Sequence, residues 1–271
     1  DFDVSSDDPR NSGERRSGLL SPKLNLVFGP WGHTEFYLDA GEGFHSNDAR
    51  GTVEHVDPQD GSPATPVTPL VRAQGAEAGL RTSALPGLVS TVSLWTLDLA
   101  SELTFAGDSG ETEASGATRR YGVEFANFYR VSKLLALDAD FSFTHARYRD
   151  ETGGGHLIAN SIGTVVTAGV TINPDRGWFG SLRGRYFGRQ PIVETGAVDE
   201  PASVTCNARL GWRDRDWEFA LDGLNLLDRR NDDIAYYYAS RLPGEPADGV
   251  EDVHLHPAEP FMLRIGVTRR F

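Results

Sequence analysis

"LLALDADFSFTHARY" (residues 134–148) decides how the rest of the chain is read. One parity carries Leu135, Leu137, Ala139, Phe141 and Phe143, and the other carries Ala136, Asp138, Asp140, Ser142 and Thr144. Successive side chains of an extended strand point to opposite faces, so this period of two is a strand with one apolar and one polar face. The run also exceeds the mean of about 5–6 residues for strands in soluble domains.

The pattern recurs along the chain. In "RRYGVEFANFYRV" (119–131), Tyr121, Val123, Phe125, Tyr129 and Val131 share a parity with Asn127, opposite Gly122, Glu124, Ala126, Phe128 and Arg130. Val204, Cys206, Ala208, Leu210 and Trp212 oppose Thr205, Asn207, Arg209 and Gly211, so Cys206 reads as a small apolar-face residue and not a nucleophile. Trp217, Phe219 and Leu221 oppose Glu218, Ala220 and Asp222. "PFMLRIGVTRRF" (260–271) places Phe261, Leu263, Ile265 and Val267 on one parity, followed by Arg269 and Phe271. Eleven such segments lie near 22–29, 34–41, 70–82, 88–105, 118–130, 134–149, 160–172, 178–189, 202–212, 217–227 and 261–271. They predict an all-β protein.

The links between segments alternate in length. "PWGH" (30–33), "TSALPG" (82–87), "VSK" (131–133), "NPDRG" (173–177) and "RDRD" (213–216) are short, whereas 42–69, 106–117, 150–159, 190–201 and 228–260 are long and polar. An antiparallel up-and-down meander with tight turns at one end and long loops at the other is the layout of a transmembrane β-barrel in an outer membrane. No run of about 18 apolar residues is present, so no helix is predicted to span a bilayer, and strands leave only a weak hydropathy signal. The formal net charge of −13 argues against a nucleic-acid partner, which needs a basic footprint. A single cysteine allows no disulfide within the chain.

Four of the five tryptophans, Trp31, Trp178, Trp212 and Trp217, flank the short turns. Aromatic rings collect at membrane–water interfaces, so these four are expected to form a girdle at the short-turn, periplasmic side. With the apolar parity toward lipid, the charges of the other parity face a lumen: Arg183, Arg185, Arg209, Glu218, Asp222 and Arg264. Opposite charges on neighbouring strands are pairs a sheet favours. The same charges brace the wall or contact a ligand.

"SPKLNLVFGPWGHTEFYLDAGEGFHSNDARG" (21–51), "AEAGLRT" (76–82), "WTLDLASELTFAGDSGETEASGATRRYGVEF" (95–125), "DGLNLLDRRNDD" (222–233) and the terminal strand resemble, in order and spacing, the barrel of TonB-dependent outer-membrane receptors. The resemblance implies a 22-stranded barrel around an N-terminal plug, in the outer membrane of a Gram-negative bacterium. Such a receptor imports a scarce nutrient, such as an iron–siderophore complex or cobalamin, with energy delivered by TonB through the plug. It further implies contact with outer-membrane lipid and lipopolysaccharide. It gives Phe271 the role of a terminal aromatic that the barrel assembly machinery reads. Neither a plug nor a TonB box is recognisable here, so the expectation is the C-terminal half of the barrel: an incomplete, open or imperfectly closed sheet of about 11 strands. Residues 1–21 are then an extracellular loop remnant, and 22–271 the C-terminal strands.

No enzyme signature is found: there is no GxSxG elbow and no phosphate-binding GxxxxGK[ST] loop. No cofactor is expected. In the last long link, Tyr236, Tyr237, Tyr238 and Arg241 form an aromatic and cationic set suited to an anionic aromatic chelate, or to packing within the loop. His254 and His256 share a face of an extended segment, but with no third donor nearby no metal site is assigned. Two other readings stay open: a self-contained small barrel acting as a passive channel or adhesin, which requires a twelfth strand in 1–21, and a soluble β-rich binding protein.

Overall fold

The computed structural model describes residues 1–58, 61–106, 111–152 and 154–270, with backbone alone for 103–106, 111–114 and 152. Eleven long strands follow one another: β1 (Lys23–Trp31), β2 (Thr34–Ser46), β3 (Leu70–Thr82), β4 (Leu88–Leu99), β5 (Thr118–Arg130), β6 (Leu135–Thr152), β7 (Thr164–Ile172), β8 (Gly177–Phe187), β9 (Ser203–Arg213), β10 (Trp217–Leu224) and β11 (Met262–Arg269). Each pairs antiparallel with the next, so chain order and sheet order coincide. The sheet is open, and its edges are β1 and β11.

Turn chemistry sets the short-turn end. Gly32 and His33, both at positive φ (56° and 63°), join β1 to β2 as a two-residue loop whose twist suits paired strands. Between β9 and β10, the Asp214 carboxylate accepts backbone N–H bonds from Asp216 and Trp217 at 2.9 and 2.8 Å, an Asx turn that reverses the chain.

The long connections are not plain loops. Residues 102–106 pair with 111–115, 190–191 with 199–200, and 232–240 with 250–257. The segment expected over 88–105 therefore ends at Leu99, and its last residues belong to a separate hairpin. The break is fixed by backbone bonds from Ala100 N–H to Arg72 O at 3.0 Å and from Glu102 N–H to Gly116 O at 3.1 Å. Residues 2–4 and 13–15 also form a ribbon, outside the main sheet, so 1–21 adds no twelfth strand to it. This ribbon docks on the 47–69 connection: Asn11 donates to Val56 O at 2.7 Å and accepts from the His55 and Val56 N–H groups, and Arg15 reaches Thr52 O at 3.1 Å. The segment 1–21 thus lies at the long-loop end.

The register carries one parity without slip from β2 to β11. Phe36, Leu80, Val92, Phe125, Phe141, Val166, Tyr186 and Val204 are successive partners on one face, and Leu210, Leu221 and Ile265 continue it. This apolar face is bare: Ile265 is 79% exposed and Trp178 67%. Such contiguous apolar area marks a surface that another apolar phase covers. The deeply buried residues lie elsewhere, chiefly in the polar face and the long connections, as with Phe179, Asp222, Ile158, Ile192 and Tyr148.

Candidate functional site

The polar face holds the chemistry. On β8 to β11 it is a ladder of guanidinium and carboxylate groups. Arg209, Asp222 and Arg264 are cross-strand neighbours, with Asp222 3.4 Å from Arg209 Nε and 3.1 Å from Arg264 Nη2. Asp222 is buried, and the two flanking arginines keep its charge compensated. Glu218 serves Arg213 at 3.5 Å, Arg270 at 3.0 Å and, at 4.0 Å, Arg209. The tip of the Phe179 ring lies against Gly211, where a Cβ would stand 2.2 Å from the ring, and Arg213 caps the ring at 3.9 Å. Arg183 reaches Asp138 at 2.8 Å. Arg185 makes no ion pair among the described residues and leans on the Phe187 ring at 5.7 Å.

The other half of the face, on β2 to β6, is acidic and was not singled out by sequence reading. Glu35 pairs with Arg81 at 2.5 Å. Asp138 is taken by Arg183 of β8, whereas three further carboxylates have neutral partners: Asp39 accepts from Asn25 at 2.6 Å, Glu77 from the Tyr37 hydroxyl at 3.1 Å, and Asp140 from Thr167 at 3.2 Å. Lys23, Asp39, Glu77, Glu124 and Trp95 line an open hollow of about 520 Å³. The Trp95 Nε1 is shielded there and has no hydrogen-bond partner among the described residues. Parity was the signal available in the sequence. The carboxylates are spread over 35–140, and only the register brings them together.

The predicted site residues fall as follows. Arg183, Arg185, Arg209, Glu218, Asp222 and Arg264 all lie on the polar face. Trp178 and Trp212 are directly paired on the apolar face, next to Phe219 and Trp217. Trp31, at the β1 turn, packs 6.3 Å from Phe36 of that face. Arg269, the one charge in the terminal apolar parity, sits 5.2 Å over the Trp217 ring, so the aromatic row holds the cation at the rim. Phe271 lies outside the described residues.

The tyrosine set is divided by its hairpin. Tyr236 and Tyr238 share a face with His254 and His256, while Tyr237 pairs with Val253 on the other side. Alternation in a strand forbids three consecutive residues from sharing a face. Tyr238 and His254 stack at 3.9 Å, and a His254 ring nitrogen lies 3.2 Å from Tyr238 O. His256 approaches Asp233 at 4.0 Å, both well exposed. Arg241 is in the turn, bonded to Glu245 O at 3.4 Å, and is not part of the strand-borne set. No group of three or more metal-binding side chains occurs among the described residues.

The family model described as TonB dependent receptor-like, beta-barrel matches residues 1–226. Among curated proteins none matches the sequence. Similar solved structures include the ferric yersiniabactin uptake receptor FyuA from Yersinia pestis, 14% identical with a TM-score of 0.71 over 92% of this chain and 37% of that one. The ferric-catecholate import receptor Fiu from E. coli K12, in its closed form, is 17% identical with a TM-score of 0.68 over 90% of this chain and 34% of that one. The siderophore receptor PiuA from Acinetobacter baumannii is 14% identical with a TM-score of 0.67 over 90% and 35%. At these identities the likeness is one of fold, and the chain spans little more than a third of the length of these receptors.

Proposed function

The chain belongs to the TonB-dependent receptor-like β-barrel family, and from that premise we propose that its eleven strands are the C-terminal part of the wall of an outer-membrane active-transport receptor. The family is one of transport receptors, and the chain works as wall and loops, not as an enzyme. The remaining strands, the plug and the contact with TonB belong to the complete receptor. The cargo is a small metal chelate such as an iron–siderophore complex, or cobalamin.

One observation carries this reading: a single apolar parity runs without slip through the sheet, opposite a polar face with paired charges on β8 to β11 and an acidic half on β2 to β6. A charge on the lipid side at mid-depth costs about 2–4 kcal/mol for Arg or Lys, and that cost explains the segregation. The apolar face meets lipid, and the polar face lines the lumen with Arg183, Arg185, Arg209, Glu218, Asp222 and Arg264. The short turns lie in the periplasm, with Trp31, Trp178, Trp212 and Trp217 as the girdle. The long connections, including residues 1–21 and the Tyr236–Tyr238–His254 face, lie outside the cell where cargo arrives. Phe271 is the residue read by the assembly machinery. The reading as a self-contained small barrel finds no support in a sheet whose edges β1 and β11 are not bonded to each other.

The test is whole-cell uptake in the source bacterium. Deleting the coding region is expected to abolish uptake of at least one radiolabelled ferric chelate or of cobalamin, and inactivating TonB should do the same. Unchanged uptake across such a panel, or recovery of the protein in the soluble fraction, overturns the proposal.

A further inference from the structure

Arg119 on β5 and Arg147 on β6 are direct cross-strand partners, both exposed on the apolar face near the long-loop rim. Like charges directly opposite one another destabilise a sheet unless something neutralises them. Arg149 stands two residues further along, on the same face and exposed. Asp98 is committed to Arg119 at 2.7 and 3.1 Å and lies within electrostatic reach of Arg149. Among the described residues, the other charges of this face at the rim are Glu151, beyond Arg149 on the same parity, and Arg72, engaged by Glu42. Among the described residues the side chains of Arg147 and Arg149 make no ion pair or hydrogen bond, and the group keeps a net positive charge.

The depth of the cluster is the second observation. Immediately below it, Tyr121 and His145 are paired across the same strands with rings 5.1 Å apart, an aromatic step of the kind found at a lipid interface. At about 3.3 Å per residue and a tilt of about 40°, the stretch from Tyr129 to Arg119 rises roughly 25 Å, the height of a lipid-facing band. The arginines therefore stand where acyl chains end and headgroups begin. Guanidinium groups are suited to phosphate because their planar donors engage two oxygens at once.

We propose that Arg119, Arg147 and Arg149 form a binding site for the phosphate of a membrane-lipid headgroup at the long-loop rim, a proposal that rests on reading the apolar face as lipid-facing. The phosphate replaces the missing counter-charge between Arg119 and Arg147, and the aromatic step below seats the acyl chains.

The experiment uses the complete natural receptor, purified and placed in phosphatidylcholine nanodiscs with or without diphosphorylated lipid A. Native mass spectrometry of the released protein reads lipid A retention. Wild type is expected to retain lipid A in the presence of excess inorganic phosphate. The variant R147Q/R149Q is expected to lose retention by about tenfold or more, from the lost charge-assisted bonds. Lys133→Gln, at the opposite end of the same strand pair, should leave retention unchanged. The single variant Arg149→Gln, which leaves the opposed pair intact, is measured beside the double one, and both are checked for the folded band on unheated gels. Equal retention by the arginine variants, equal loss in Lys133→Gln, or displacement of lipid A by inorganic phosphate overturns the proposal. Failure of wild type to enter nanodiscs at all sinks the membrane reading itself, an outcome distinct from loss of the lipid site.

Discussion

Asp138 of β6 and Arg183 of β8 are not on neighbouring strands, yet their side chains meet at 2.8 Å across the intervening strand β7. They do so over Gly169, where a Cβ would stand 2.7 Å from Asp138 Oδ1 and 2.9 Å from Arg183 Nη2. The ion pair therefore depends on a third residue that carries no charge. Gly169→Ala is expected to push the pair apart at a cost of about 1 kcal/mol, in keeping with partly exposed pairs. In an Asp138→Asn background the same substitution should cost measurably less, and that coupling is read from urea midpoints in a double-mutant cycle. An additive result would show that Gly169 acts only through backbone freedom.

A polar pair interrupts the apolar face. Ser90 Oγ donates to Asn127 Oδ1 at 2.6 Å, and Asn127 Nδ2 reaches Ala139 O at 3.1 Å. With both amide ends satisfied, the asparagine is tolerable on an apolar face. Ser90→Ala alone should destabilise by about 1–3 kcal/mol, the usual cost of an unmet buried acceptor, while Ser90→Ala/Asn127→Leu should regain most of the loss. Thermal unfolding in detergent checks the order of the three proteins.

The two faces can be separated by adjacent residues. Phe141→Arg puts a cation on the apolar face and is expected to cost about 2–4 kcal/mol or block assembly. Ser142→Arg points to the polar face beside Glu124, a 3.5 Å neighbour of the native serine, and should be tolerated. The folded fraction on unheated gels compares them. Equal damage by both would contradict the parity.

Acid should loosen the β9–β10 turn. The backbone N–H groups of Trp217, and then of Asp216, hold the Asp214 carboxylate below its ordinary range. A carboxyl depressed in the fold stabilises it above the unfolded value of about 3.9, and that contribution fades as pH falls through the lower folded value. Asp214→Asn keeps an acceptor without the charge, so its stability should be flatter below about pH 4 than that of wild type. Parallel pH slopes for the two proteins would refute the role of Asp214.

The hairpin of the last long connection gives a test of cargo recognition under the proposed function. Tyr238 stacks on His254, whereas Tyr237 faces the other way. In the complete receptor, Tyr238→Ala should weaken chelate binding by about tenfold or more, the loss typical of an aromatic anchor. Tyr237→Ala should leave it near wild type. Titration calorimetry with the cargo distinguishes the two.

The sequence by itself determined the strands, their order and their two faces, because a period of two is a local property and the alternation of short and long links orders a meander. Val204 to Trp212 and Trp217 to Leu221 were legible for that reason, as was the placement of Arg209, Glu218 and Asp222 on the polar side. The reading failed where local pattern was weak or misleading. Residues 102–106 continue the alternation of β4, but tertiary hydrogen bonds turn them into a separate hairpin. Tyr236, Tyr237 and Tyr238 read as one set, and pairing with 250–257 divided them. Only the tertiary structure decided what crosses strands: Asp138 to Arg183 over Gly169, Arg269 on Trp217, Arg119 opposite Arg147, and the acidic half of the polar face assembled from Glu35, Asp39, Glu77, Glu124 and Asp140. Register is a non-local quantity, fixed by which residues of distant segments exchange hydrogen bonds, and no window of sequence contains it.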